Sequence, residues 1–343
     1  MAGLGCAAEY TAFIADRGGS ILAQAETLTR VRWGRILNDA STAVVTIQPD
    51  MDCCGKLGQM RGMRHWLHVF RNEQYVWGGQ IIQPTWGVGT VTVSAADIVS
   101  VLNRRSPHEP KSFTDTDLTD IAEWLIEDGF FPDDPGHSVQ VLAKSGIRVS
   151  RSYTQGIGQS GDKLRDLADT GLDFTAYGEK LLLMPDDWSA SVGTITDADL
   201  PDGLSVAEDG TAVVTKWYVY GEEGSGIIGV AGGVDPYYGL IERSVQDSTI
   251  TDQASADASA AARLASSLQV PVYIDTSEVT LSPDADVDIA HLVPGWCVDV
   301  ATTATCRNIA QRMKLTGLSV EADGDGESVK VQVGPVGSNV EDV

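Results

Sequence analysis

Gly224, Gly226 and Gly229 spell a G-x-G-x-x-G after a strand-like run, the spacing that cradles a pyrophosphate when a helix N-terminus follows. Gly232, Gly233, Pro236 and Gly239 oppose such a helix, and Glu222 and Glu223 would repel phosphates at the mouth. The stretch Gly221–Gly239 therefore predicts a mobile glycine-rich hairpin loop. His65 and His68 form an H-x-x-H, but the run around them alternates as a strand, where residues three apart face opposite ways and cannot share a metal. Asp284, Asp286 and Asp288 imitate the opening of a calcium loop, yet Ile289 stands where its glycine belongs and Gly295 where its closing glutamate belongs. Asp323 and Asp325 read as a solvated acidic turn. Gly158-Gln-Ser160-Gly161 lacks one spacer of a nucleophile elbow, and Glu123 beside Trp124 reads as a helix-surface acid. The five cysteines include the adjacent Cys53 and Cys54, while Cys6, Cys297 and Cys306 sit outside any paired zinc spacing, so incidental or buried thiols are expected. No catalytic, metal-binding or cofactor-binding residue is expected. Of eight tryptophans, Trp33, Trp66, Trp77, Trp86, Trp217 and Trp296 lie in or beside strand-like runs, which predicts packing, with sugar binding open to any that is exposed.

The chain that would position these residues has 343 of them, enough for two or three domains at about 150 residues each. With 43% hydrophobic and 21% charged residues it has the composition of a folded protein. No apolar run approaches the ~20 residues of a membrane-spanning helix. The net charge of −24 repels phosphate and disfavours sequence-reading nucleic-acid binding. The start of the chain has neither a basic stretch nor a long apolar run, which predicts synthesis and folding in the cytoplasm.

Period-two alternation predicts strands at Arg30–Trp33, Ala43–Gln48, Trp66–Phe70, Tyr75–Ile82 and Thr90–Val93, with turns at Asn38-Asp39, Pro49-Asp50, Arg71-Asn72-Glu73 and Gly87 to Gly89. A short helix is expected at Ala95–Leu102. Helical spacing then puts Leu118, Ile121, Ala122 and Leu125 on one face of a helix over Asp117–Asp128 stopped by Gly129. A second helix is expected at Asp162–Thr170, and a hairpin of Leu172–Ala176 and Lys180–Met184 across Tyr177-Gly178-Glu179. Asp186–Gly210 reads as a connection. Further on, Val213–Tyr220, Val272–Asp275, Val279–Ser282, Trp296–Ala301, Met313–Ala322 and Ser328–Val333 read as strands. The helix Asp252–Leu268 between them carries Ala254, Ala258, Ala261, Leu264 and Leu268 as its packing stripe. The expected class is mainly β with an α+β insertion: a first β domain over residues 1–106, the insertion over 107–203 and a second β domain over 204–343.

The run Leu28-Thr-Arg-Val-Arg-Trp-Gly-Arg-Ile-Leu-Asn38-Asp39, then Trp77-Gly-Gly-Gln-Ile-Ile82, Val91-Thr-Val-Ser-Ala-Ala-Asp97 and Leu102-Asn-Arg-Arg105, resembles the first domain of siphophage minor tail proteins of the tail-hub (baseplate hub) family. Glu242-Arg-Ser-Val-Gln-Asp-Ser-Thr-Ile250, the alanine-rich helix and Leu292-Val-Pro-Gly-Trp-Cys-Val-Asp-Val300 resemble its second barrel. The resemblance covers most of the chain and implies two related antiparallel β-barrels per copy. Three copies would then form a pseudo-hexameric ring at the tail tip of the virion. It implies as partners a distal tail or tube protein, the tape measure and tip fibres, and DNA passing through the ring, with part of the acidic excess lining the channel and weakening adhesion. The competing expectations are a carbohydrate-binding tail adhesin, a distal tail protein with one barrel per chain and, against the missing motifs, a cell-wall hydrolase.

Overall fold

A computed structural model describes residues 8–336 except 26, 50, 202, 204, 209, 223, 248–249, 251, 268–271, 275–277, 283–284, 286 and 307. The chain is mostly β, 47% strand and 17% helix. Its first third contains β1 (Tyr10–Ala15), β2 (Ile21–Ala25), β3 (Leu28–Ile36), β4 (Thr42–Ile47), α1 (Met51–Leu57), β5 (Trp66–Arg71), β6 (Gln74–Gly87), β7 (Thr90–Ala96) and α2 (Val99–Leu102). The middle contains β8 (Lys111–Asp117), α3 (Leu118–Phe130), β9 (Ser138–Val141), β10 (Arg148–Tyr153), α4 (Ser160–Ala168), β11 (Leu172–Tyr177) and β12 (Lys180–Pro185). Then come β13 (Ser191–Thr196), β14 (Val206–Glu208), β15 (Lys216–Tyr220), β16 (Ile228–Gly232), β17 (Glu242–Gln246), α5 (Gln253–Ser267) and β18 (Val272–Ile274). The chain closes with β19 (Glu278–Thr280), β20 (Cys297–Thr302), β21 (Ile309–Asp323) and β22 (Gly326–Pro335).

The backbone groups into two compact units, Met1–Leu204 with Thr276–Val343, and Ser205–Asp275. The stretch 204–343, read from sequence as one β domain, is thus divided between them. In the larger unit, strands from the two ends of the chain enter one twelve-stranded sheet, ordered β13-β20-β21-β3-β4-β7-β6-β5-β1-β2, with β22 and β19 extending from β21. The junction is the antiparallel pairing of β21 with β3, from Gly317 opposite Ile36 to Asp323 opposite Arg30. No ladder closes the sheet into a barrel among the described residues. The turns obey local chemistry. Asn72 and Glu73, at φ 48° and 65°, make the two-residue left-handed hairpin that joins β5 to β6, and Gly178 at φ 64° turns β11 into β12.

The middle segment has its own core, in which α2, α3 and α4 pack on β11 and β12 through Leu102, Ile121, Leu125, Phe130, Leu164 and Phe174. The Asp117 side chain caps α3 by accepting from the Thr119 amide at 2.9 Å. Leu118, Ile121, Ala122 and Leu125 are buried, as their spacing predicts. Gly129 does not stop the helix, which continues to Phe130. A Cβ there would come within 2.7 Å of the Leu102 side chain, so this glycine serves the contact with α2. Over Ala95–Leu102 the structure keeps β7 to Ala96 and begins the helix at Val99, because the Asp97 carboxylate accepts the Val99 amide and turns the chain. Asp186–Gly210 is not only a connection, since it contributes β13, paired in parallel with β20.

In the smaller unit, β15 lies between β16 and β17, and α5 packs on this sheet through Ala256 and Ala260. The expected stripe is largely misplaced: Ala254, Ala258 and Ala261 are exposed, Leu264 is half-buried beside Gly232 of β16, and Leu268 lies outside the described residues. Alanines occur all round this helix, so composition selects no face. The face is selected by Gly229, where a Cβ would meet the Ala256 carbonyl oxygen at 2.1 Å.

Candidate functional site

Among the described residues, the side chains singled out for chemistry do not converge. Gly224 and Gly226, at φ 81° and 70°, form the turn between β15 and β16, and Gly229 lies within β16. A strand, not a phosphate-cradling helix, follows the motif, and part of the expected mobile loop is ordered as a paired strand. His65 is buried just before β5, its Nδ1 accepting the Arg61 amide at 3.0 Å, while His68 sits within β5 with its ring 3.9 Å from Glu179. Asp284 and Asp286 lie outside the described residues. Asp288 accepts the Ala290 amide at 2.9 Å and caps a short 3-10 turn, and Asp323 accepts the Asp325 amide at 2.9 Å within a turn. Ser160 opens α4 and is fully buried, and Glu123 is half-buried on α3. Among the described residues no three His, Cys, Asp or Glu side chains gather as metal ligands. Trp86 is the exposed tryptophan, at 47%, and its indole donates to the Leu57 carbonyl. Trp33, Trp66 and Trp77 are buried, whereas Trp217 and Trp296 are half-buried.

What the fold assembles instead is a surface. Alternation along β3 buries Val31, Trp33 and Arg35 and turns Arg30 and Arg32 outward. The registers carry that parity from strand to strand. Gln83 and Thr85 of β6 face Ser94 and Thr92 of β7, which face Val44 and Thr46 of β4. Val44 and Thr46 lie opposite Arg32 and Arg30, which lie opposite Glu321 and Asp323 of β21. Beyond these come Ser328, Lys330 and Gln332 of β22, then Glu278 and Thr280 of β19. Seven strands thus present one outward face, built largely of hydroxyl and amide side chains. On these stretches its charged residues are three bases, Arg30, Arg32 and Lys330, and three acids, Glu278, Glu321 and Asp323; before the irregularity at Leu315–Gly317 the same side of β21 carries Arg312, paired to Asp299 of β20. Arg30 is ion-paired to Glu321, which raises the guanidinium's affinity for its proton. Lys330 meets Glu278 at 3.0 Å, and together with Gln332 it holds that carboxyl below its ordinary range. A shallow depression in the face, about 430 Å³, is lined by Arg32, Thr42, Val44, Ser319, Gln332 and Glu278.

Three buried polar clusters tie the sheet to the segments packed around it. Arg71 makes a two-pronged contact with Glu327 at 2.9 and 2.6 Å, and the Tyr10 hydroxyl donates to the same carboxylate at 2.5 Å. Burial and that carboxylate push the Tyr10 hydroxyl well above its usual range. Lys314 meets Asp173 at 2.6 Å, and Asn38 bridges Asp173 and the Phe174 amide, which ties β11 to the end of β3 and to β21. Arg35 has no carboxylate. It donates to the carbonyls of Val76, Ala290 and Leu292 at 2.8, 3.1 and 3.0 Å and lies over the Tyr177 ring, and burial lowers its pKa to about 10. None of these clusters was legible in the sequence, because each joins residues far apart in the chain.

No family model matches the chain, and no curated protein matches it. Solved structures do. A 43 kDa tail protein of prophage MuSo2 from Shewanella oneidensis is 15% identical with TM-score 0.57, over 94% of this chain and 97% of its own. The tail protein from Neisseria meningitidis MC58 is 16% identical with TM-score 0.54, over 94% and 96%. Prophage tail protein gp18 from Listeria monocytogenes EGD-e is 14% identical with TM-score 0.52, over 97% and 96%. The chain has a phage tail-protein fold. At these identities the likeness concerns the backbone path, and it runs nearly end to end in all three tail proteins. In this tail-protein fold the strand registers trace a continuous polar surface across the outward face of β6, β7, β4, β3, β21, β22 and β19. No helix in the described residues is long and apolar enough to cross a membrane.

Proposed function

We propose that the chain is the tail-tip hub of a long-tailed bacteriophage, a structural virion protein with no catalytic step of its own. Three copies form a ring in which each contributes two related β domains, one from either end of the chain, so that a threefold object offers a pseudo-sixfold surface to the tail tube. The outward seven-strand face lines the channel through which DNA leaves, and the ring joins a distal tail or tube protein and the tape measure to the tip fibres.

One observation carries this reading: β3 and β21 pair directly, so long strand pairs from the two ends of the chain, β3 with β4 and β21 with β22, lie side by side in one sheet. Such an arrangement supplies two adjacent wall segments per copy. The full-length tail-protein likenesses agree with it. A carbohydrate-binding adhesin gains little from the tryptophans, since Trp86 alone is exposed and its indole already has a partner. The test is the particle mass in solution together with electron-microscope images. A ring of three times the 36.5 kDa chain is expected. A sixfold particle would favour the distal tail protein, and a monomer that stays monomeric with purified tail-tube protein would overturn the hub.

A further inference from the structure

The chain carries −24, yet the seven-strand outward face traced above carries three acids against three bases. At the chain's ratio of 48 acids to 24 bases, six charges would divide about four to two, so the even count by itself carries no argument. The charges, however, are not scattered. Arg30 stands opposite Asp323 and is ion-paired to Glu321, Arg32 stands opposite Glu321, and Lys330 reaches Glu278. Around them lie Thr46, Thr85, Thr92, Ser94, Ser319 and Ser328, neutral groups that can exchange hydrogen bonds with water.

We propose that this face is a charge-compensated wall for duplex DNA in transit, in which Glu321 and Glu278 are ion-paired to Arg30 and Lys330 while Glu321 and Asp323 stand opposite Arg32 and Arg30, so that phosphates pass without being bound. The proposal rests on the channel reading above but departs from an acid-lined channel: non-adhesion comes from paired charges and hydroxyls, and the acidic excess lies elsewhere. A wall with free arginines would bind DNA by releasing its counterions, and a wall of unpaired acids would raise a barrier to entry. Paired charges a few ångströms apart cancel at the distance of a passing phosphate, and salt screens what remains within about 8 Å.

The test unmasks the bases. The full-length variant Glu278→Gln/Glu321→Gln/Asp323→Asn is compared with Glu109→Gln/Asp166→Asn/Asp187→Asn, which removes as many exposed acids away from the face. Binding of a fluorescent short duplex is followed by anisotropy at rising salt. The face variant should bind DNA while the wild type and the control do not. Three phosphate contacts imply a weakening of about 40-fold between about 50 and 200 mM salt. Adding Arg30→Gln, Arg32→Gln and Lys330→Gln to the face variant should abolish the gain. Equal binding by the face variant and the control, no binding by a face variant that retains the wild-type circular dichroism, or binding by the wild type would each overturn the proposal. The assay reads the surface whether or not the chain trimerises, so failure of the ring in the mass measurement is a separate result.

Discussion

The exposed and the buried charges of the large sheet use the same residue types to opposite ends. Outward, Arg30, Glu321, Lys330 and Glu278 are partly or fully exposed, and their pairing shapes the field above the sheet. Among the buried charges, the Glu327 side chain is 2% exposed and Arg71 11%, while Lys314 and Asp173 are 5% and 6%. Water decides the difference. It weakens an exposed pair and replaces either partner if one is lost, whereas a buried ion stripped of its partner retains its full desolvation cost. The inner charges therefore hold together segments that are remote in the chain, and the outer ones contribute little to folding.

The sharpest way to break this contrast is Glu327→Ala, which strands Arg71 and leaves the Tyr10 hydroxyl without its acceptor. A loss of about 3–5 kcal/mol in urea unfolding is expected. Lys314→Met should cost about 2–3 kcal/mol, because Asn38 still satisfies part of Asp173. Adding Asp173→Leu to it should recover most of that loss, since the uncompensated charge is then gone.

Asp97 sharpens the comparison through pH. It is buried, and although Ser41 and Val99 donate to it, burial raises its carboxyl to about 6 from the ordinary 3.8. Folding thus favours the protonated form. The group's contribution is greatest below about pH 4, falls as pH rises towards 6 and is constant above. The stability of the wild type minus that of Asp97→Asn should accordingly drop by about 2–3 kcal/mol across that window. The smallest effect belongs to the outer face: exchanging the pair as Arg30→Glu/Glu321→Arg should leave the melting temperature unresolved from wild type. A clear drop would show that these charges brace the sheet as the inner ones do.

Much of the β framework was readable from alternation. The strands at Arg30–Trp33, Ala43–Gln48 and Trp66–Phe70 lie within β3, overlap β4 and lie within β5; β3 and β4 alternate because one face is buried and the other more open, whereas β5 is covered on both sides. β1, with Tyr-Thr-Ala-Phe-Ile-Ala, was missed because its apolar run hardly alternates. The α5 face was misread because alanine marks no side, and Gly129 because a glycine needed for close packing looks the same in sequence as one needed for a helix end.

The sequence by itself determined the local periods, the turn residues and the acidic excess. Only the tertiary structure decided that Arg30 meets Glu321, 291 residues away, and that the charges on this face balance. Alternation is a property of neighbouring residues and survives any pairing. Partner and register depend on which distant apolar faces are buried together, and a shift of one residue would have turned Arg30 and Arg32 into the core.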